Sequence, residues 1–222
     1  EIATVGNITT TTAGGTTNLR LGLNAGDAIA DGALYNTVVG SEAGTAISTG
    51  DYNTLIGGLA GDALNTGHSN VVMGHAALST EDTGRKNVAI GYSALNAQNG
   101  DADNFNVAVG YNAGLTVATG VENTIIGALA GDALTIGYQN VVNGFQALSA
   151  ETTGSRNVAI GINALNVSNM GGGTSVTSYN VAVGALAGGA VTTGIQNTLI
   201  GGLAGDALLA AADNVAVGFE AL

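Results

Sequence analysis

The 222-residue sequence predicts an all-β protein: a parallel β-solenoid of about twelve 17-residue coils over residues 18–222, with residues 1–17 as an N-terminal cap, linker or docking segment. Three observations lead there. The first is repetition. Asn53 to Leu64 recurs unchanged at Asn197 to Leu208 and, with two conservative changes, at Asn123 to Leu134. The second is a β-type triplet after each anchor asparagine, such as Val71-Val72-Met73 or Thr198-Leu199-Ile200. The third is composition: 37 Gly and no Pro, with 45% hydrophobic residues and only 9% charged ones. That is too apolar for disorder, and it lacks the Gly-X-Y period of collagen.

The anchors are Asn18, Asn36, Asn53, Asn70, Asn87, Asn106, Asn123, Asn140, Asn157, Asn180, Asn197 and Asn214. Counting each as position 1, position 5 is always Gly, position 8 is always Ala, and position 15 is mostly Gly. A unit this short cannot hold a helix pair or a propeller blade, which take ~34–45 residues. Stacked at the ~4.8 Å strand spacing, the coils predict a rod of roughly 55–60 Å. Identical residues then align along its axis, and Asn36 to Asn214 form a hydrogen-bonded amide ladder.

Two coil types alternate in pairs. Position 9 is Gly in one type (Gly44, Gly61, Gly114, Gly131) and Leu in the other (Leu78, Leu95, Leu148, Leu165). Position 12 answers it: Ile47, Leu64, Val117 and Leu134 in the Gly type, Glu81, Gln98, Glu151 and Ser168 in the Leu type. One large aliphatic group per coil fills the same core volume from either side of a corner. Extra residues fall in the coils that start at Asn87 and Asn157, and the longer insertion, 166–179, reads as a mobile loop. Asp27, Asp62, Asp132 and Asp206 share position 10 but never adjacent coils, which avoids like-charge contact.

Alternation sends positions 2 and 4 to one face and position 3 to the other, and both faces are apolar. One must line the coil's own core. The other leaves a stripe longer than soluble monomers expose, which predicts self-association around an axis. Position 3 is assigned to that interface: Leu55, Val72, Ala89, Ala108, Ile125, Val142, Ala159, Ala182, Leu199 and Ala216. Arg20 breaks this set in the first coil, and Asn143 breaks the opposite face at position 4. The last coil stops at position 9, so the chain reads either as a piece of a longer fibre or as a subunit whose ends complete a coil with the next one.

Composition excludes several functions. Four Lys+Arg against 16 Asp+Glu, net charge −12, cannot neutralise a nucleic-acid backbone. No apolar run reaches the ~18 residues of a membrane helix. Without Cys there is no thiolate metal site or cysteine nucleophile. His68 and His75 lack the further ligands zinc requires, and the acidic pairs Glu81/Asp82 and Asp101/Asp103 read as solvated turns. Neither an enzyme nor a cofactor is implied. Tyr92, Tyr111 and Phe145 at position 6 form a possible strip for surface or glycan contact, in which Tyr92 and Tyr111 could stack. Tyr35, Tyr52, Phe105 and Tyr179, each just before an anchor, read as coil-edge caps.

The Asn-(Val/Thr)-Ala-(Ile/Val)-Gly-x-x-Ala units, as in Asn87 to Ala94, resemble the head repeats of trimeric autotransporter adhesins and, more closely, repeats of phage tail fibres. The resemblance covers residues 18–222. It implies a left-handed parallel β-roll assembled as a homotrimer, located extracellularly or on a virion surface, and contacting a host-surface glycan or protein. The 17-residue coil is longer than that of the adhesin heads and favours the phage-like version. The functional expectation is a non-enzymatic fibre segment that forms a rigid trimeric rod for attachment. The alternatives are a structural, end-to-end filament or shaft subunit with recognition elsewhere, and an ice-binding solenoid. The last would use Thr49, Thr66, Thr83, Thr119, Thr153 and Thr193, an array interrupted by Ile136 and Ala210.

Overall fold

The computed structural model describes residues 8–9, 17–29, 32–171 and 173–222. These form two compact units that divide between Phe105 and Asn106. Both are built of strands and turns, without a helix among the described residues. Most of the predicted cap or docking segment, residues 1–17, lies outside the described residues. Its Ile8–Thr9 forms β1, which pairs antiparallel with β2, Leu19–Leu21.

In the first unit β2 is followed by β3 (Thr37–Val39), β4 (Thr54–Ile56), β5 (Val71–Met73) and β6 (Val88–Ile90). Each pairs in parallel with the next, residue for residue at the same coil position. The second unit repeats the arrangement with β7 (Val107–Val109), β8 (Thr124–Ile126), β9 (Val141–Asn143), β11 (Val158–Ile160), β13 (Val181–Val183), β14 (Thr198–Ile200) and β15 (Val215–Val217). The predicted parallel solenoid of about twelve coils is therefore present, as five coils and then seven.

The anchor asparagines, buried except for the half-buried Asn18 and Asn214, form the predicted ladder within each unit. Asn53 shows the full pattern. Its backbone N–H and its Nδ2 both donate to Asn36 Oδ1, at 2.9 and 3.1 Å. Nδ2 also donates to Gly67 O across its own coil at 2.9 Å. Its Oδ1 in turn accepts from the N and Nδ2 of Asn70. Both amide protons and both lone pairs are used, which burial of a carboxamide requires. The invariant glycine is fixed by close stacking. Gly57 has φ +131°, and a Cβ there would lie 2.6 Å from Gly74 O of the next coil.

The facing of the strands reverses the sequence-based assignment. Position 3 points into the coil: Leu55, Val72, Ala89, Ala108, Ile125, Val142, Ala159, Ala182 and Leu199 are fully buried within the chain, and Ala216 is 3% exposed. None can meet a second molecule. They pack with the buried position-8 alanines and with the aliphatic group from position 9 or 12. Positions 2 and 4 point outward. Arg20 occupies the position-3 site of the first coil, where its Nε donates to Ala25 O at 2.8 Å and its guanidinium lies 3.8 Å from Asp27.

The exchange between positions 9 and 12 is as read. Ile47, Leu64, Val117 and Leu134 are buried in Gly-type coils; Leu78, Leu95, Leu148 and Leu165 are buried in Leu-type coils. A Cβ on Gly44 would lie 2.8 Å from Ile47 Cδ1, so both positions cannot be large. The reading of 166–179 as a mobile loop is corrected in part. Ser168 and Ser178 are buried, and Val176–Thr177 (β12) pairs in parallel with Gly154–Ser155 (β10).

Asn157 donates its backbone N–H to Asn140 Oδ1 at 2.9 Å, but its buried Nδ2 has no partner. Asn140 uses its Nδ2 twice, to Asn123 Oδ1 and Gly154 O, both at 3.0 Å. Asn140→Ala is therefore expected to destabilise the protein by ~2–4 kcal/mol, because it strands several buried groups. Asn157→Ala is expected to cost less than half as much. Denaturant unfolding of the two variants checks this; equal losses would contradict the ladder's geometry.

Candidate interaction surface

The outward sheet face is made by positions 2 and 4 and carries no charged side chain in either unit. Val71 and Met73 are 39% and 43% exposed, and Ile126, Val141 and Ile200 stand near the same level. β-branched residues suit a pleated surface and are stiff, so little side-chain entropy is lost when they are covered. Its position-2 residues are Val or Thr after the first coil, and its one amide is exposed Asn143 at the end of β9.

Two columns border this face. One is the residue before each anchor, held at left-handed φ in coil after coil: Tyr35 (60°), Tyr52 (58°), Lys86 (60°), Arg156 (61°) and Tyr179 (53°). Its side chains pair along the axis. Tyr35 and Tyr52 stack with ring centroids 5.1 Å apart, and Lys86 Nζ lies 4.8 Å from the Phe105 ring centroid. Arg156 lies over Tyr138 and Tyr179, donating to Tyr179 Oη at 2.9 Å and to Gln139 Oε1 at 2.9 Å. Tyr35, Tyr52, Phe105 and Tyr179 are exposed, so they decorate the coil edge rather than close it.

The other column, position 6, holds the candidate contact aromatics. Tyr92 in the first unit and Tyr111 and Phe145 in the second are each about half exposed. Tyr92 stacks on His75, with centroids 5.5 Å apart and ring planes within 8°. One ring face of Tyr92 is thereby covered, which limits it as a platform for a sugar ring. In the threonine array Thr49, Thr66, Thr119 and Thr193 are exposed, but Thr153 is buried, which breaks it again.

Sequence reasoning missed a pair of buried carboxylates. Glu81 and Glu151 sit at position 12 of equivalent Leu-type coils and are fully buried, so Glu81 is no solvated turn residue. Glu81 Oε1 accepts from Gly84 N at 2.7 Å; Oε2 accepts from Gly100 N at 3.2 Å and Asn104 Nδ2 at 3.0 Å. Glu151 Oε1 accepts from the amides of Thr152, Thr153, Gly154 and Met170, and Oε2 from Ser168 Oγ. Each carboxylate thus ties its own corner to the inserted segment of the following coil. The available signal was that both insertions directly follow a Leu-type coil with Glu at position 12.

Burial raises the Glu81 carboxyl above its ordinary value of 4.5, against the hydrogen bonds from Gly100, Gly84, Thr83 and Asn104 that lower it. Asn104 Oδ1 is buried without a partner, so rotation of that carboxamide would let a protonated Glu81 donate to it. Burial also raises Asp62, with Glu42 adding repulsion, and raises Asp132. Asp103 is lowered by its hydrogen bond to Lys86 Nζ at 2.6 Å. Among the described residues no group of three or more His, Cys, Asp or Glu could hold a metal ion, and no helix is long and apolar enough to cross a membrane. No family model, curated protein or solved structure matches this chain.

A carboxyl raised in the folded state favours the protonated fold. Its stabilising effect is complete below the unfolded value and is lost as pH rises through the folded one. With Glu81, Asp62 and Asp132 all raised, the melting temperature is expected to rise as pH falls from 7 towards the ordinary Glu value of 4.5. Exposed Asp103 opposes this only weakly. Glu81→Gln should shrink the gain. A melting temperature that falls over this interval, or an unchanged gain in Glu81→Gln, would contradict the assignment.

Proposed function

We propose that the chain is a segment of a non-enzymatic fibre, like a phage tail fibre or an adhesin head, that associates with copies of itself as a trimer and serves attachment at an extracellular or virion surface. The observation that carries this reading is the outward sheet face, uncharged in both units of a chain with net charge −12. A periodic flat surface of this kind is matched best by another copy with the same period. The trimer and the attachment role rest on the sequence resemblance.

A second reading, a shaft or filament subunit with recognition elsewhere, is favoured by the pairing of aromatics along the axis. In stacked pairs such as Tyr35 with Tyr52, or His75 with Tyr92, each ring has one face covered by its neighbour. Sugar recognition uses ring faces. Sedimentation of the purified protein at micromolar concentration should give a trimer, and a glycan array or cell panel should show binding. A monomer would overturn the self-association. A trimer that binds nothing and polymerises end to end would assign the shaft role instead.

A further inference from the structure

The outward face of the second unit repeats almost without change. At position 4 it presents Val109, Ile126, Ile160, Val183 and Ile200, and at position 2 only Val or Thr. Two copies packed through this face could slip by one coil and meet nearly the same surface again. A sheet face without distinguishing residues specifies register weakly. At ~100 Å² of exposed side chain per coil, the seven coils offer on the order of 700 Å², close to the ~800 Å² per partner of a standard interface. The area suits a second copy of the chain, but the repeat leaves its axial position open.

Asn143 removes that degeneracy. It is the one amide on this face, exposed at the end of β9, and its in-register neighbours on either side are Ile126 and Ile160. Resting on the self-association proposed above, we infer that Asn143 is the register key of the interface between copies. In register, each Asn143 meets its counterparts at one axial level. A carboxamide carries both donors and acceptors, so the copies can hydrogen-bond one another there. After a slip of one coil, the amide faces the aliphatic side chain of Ile126 or Ile160 and is buried without a partner. A single polar residue in an otherwise apolar seam fixes register in other assemblies by the same penalty, at some cost in affinity.

The test uses the three phenylalanines, Phe105, Phe145 and Phe219, of which Phe145 lies two residues from Asn143. With fluorophenylalanine incorporated, an in-register symmetric assembly gives three fluorine resonances, and a mixture of registers gives more. Asn143→Ile and Asn143→Val introduce residues already present at this position in other coils, so the fold is retained. Both are expected to bind their own kind at least 10-fold more tightly than the parent chain and to show at least twice as many resonances. Asn143→Gln, which keeps the amide, is expected to retain three. If the parent chain sediments as a monomer, the self-association itself fails. If it is oligomeric but already shows more than three resonances, or if the Ile and Val variants keep three, the register key is overturned while self-association stands.

Discussion

The constraint on which the rest of this structure depends is the complete hydrogen bonding of one buried carboxamide per coil. The Asn53 side chain binds the coil before it, the coil after it and the far corner of its own coil through Gly67 O. An amide with those obligations allows little variation in the number of residues between anchors. An added residue must be absorbed by a changed partner, as where Asn18 Nδ2 donates to Ala33 O in the first coil, or it leaves a donor or acceptor dry in the core at a cost of ~1–3 kcal/mol. The 17-residue period is thus enforced by polar groups, although the core is otherwise aliphatic. Where the chain does insert residues, at 157–179, the ladder shows the consequence: Asn157 Nδ2 is buried and unpaired.

A second constraint is volume, and it acts together with the first. Each coil has room for one aliphatic side chain near the corner, from position 9 or from position 12. In Leu-type coils position 12 is relieved of that task, yet it stays inside the coil. Glu81 and Glu151 use the place to collect backbone N–H groups that the displaced corner would otherwise leave unsatisfied. The exchange that looked like simple packing compensation therefore has a polar consequence. It creates sockets in which irregular chain can be held, and both insertions are found at them. Left-handed φ at Leu78, Leu95, Leu148 and Leu165 is a conformational expense of the same exchange, ~1–2 kcal/mol at each leucine.

These relations explain what could be read from the residues and what could not. The period, the ladder, the corner glycines and the exchange between Gly44/Ile47 and Leu78/Glu81 were visible because stacking repeats them at fixed offsets. The facing of the strand was not, because both of its faces are apolar and alternation alone carries no sign. A clue lay in size: position 3 holds Ala89, Ala108, Ala159 and Ala182, and alanine in a short strand fits a crowded interior better than an interface. The burial of Glu81 was hidden for a different reason. A carboxylate beside Asp82 in a turn reads as solvated unless the amide donors from the next coil, at Gly100 and Asn104, are already placed. Such donors come from a distance along the chain that no local pattern reveals.

The distribution of charge follows from the same geometry. Core positions exclude charge by burial, apart from Arg20 in the first coil and the hydrogen-bonded Glu81 and Glu151, and the outward strand positions hold none. What remains are the corners and borders, and the charges are found there: Glu42, Lys86, Glu122, Arg156 and Asp213, each at left-handed φ. An apolar strip is thus framed by charged and aromatic columns. Framing matters because an unbounded apolar sheet invites indiscriminate association, whereas a narrow strip between hydrated borders admits only a partner of matching width. Within such a strip the remaining freedom is translation along the axis. A polar group on the strip itself restricts that freedom in a way that a charge on the border cannot, since a border charge stays solvated in every register and discriminates among none.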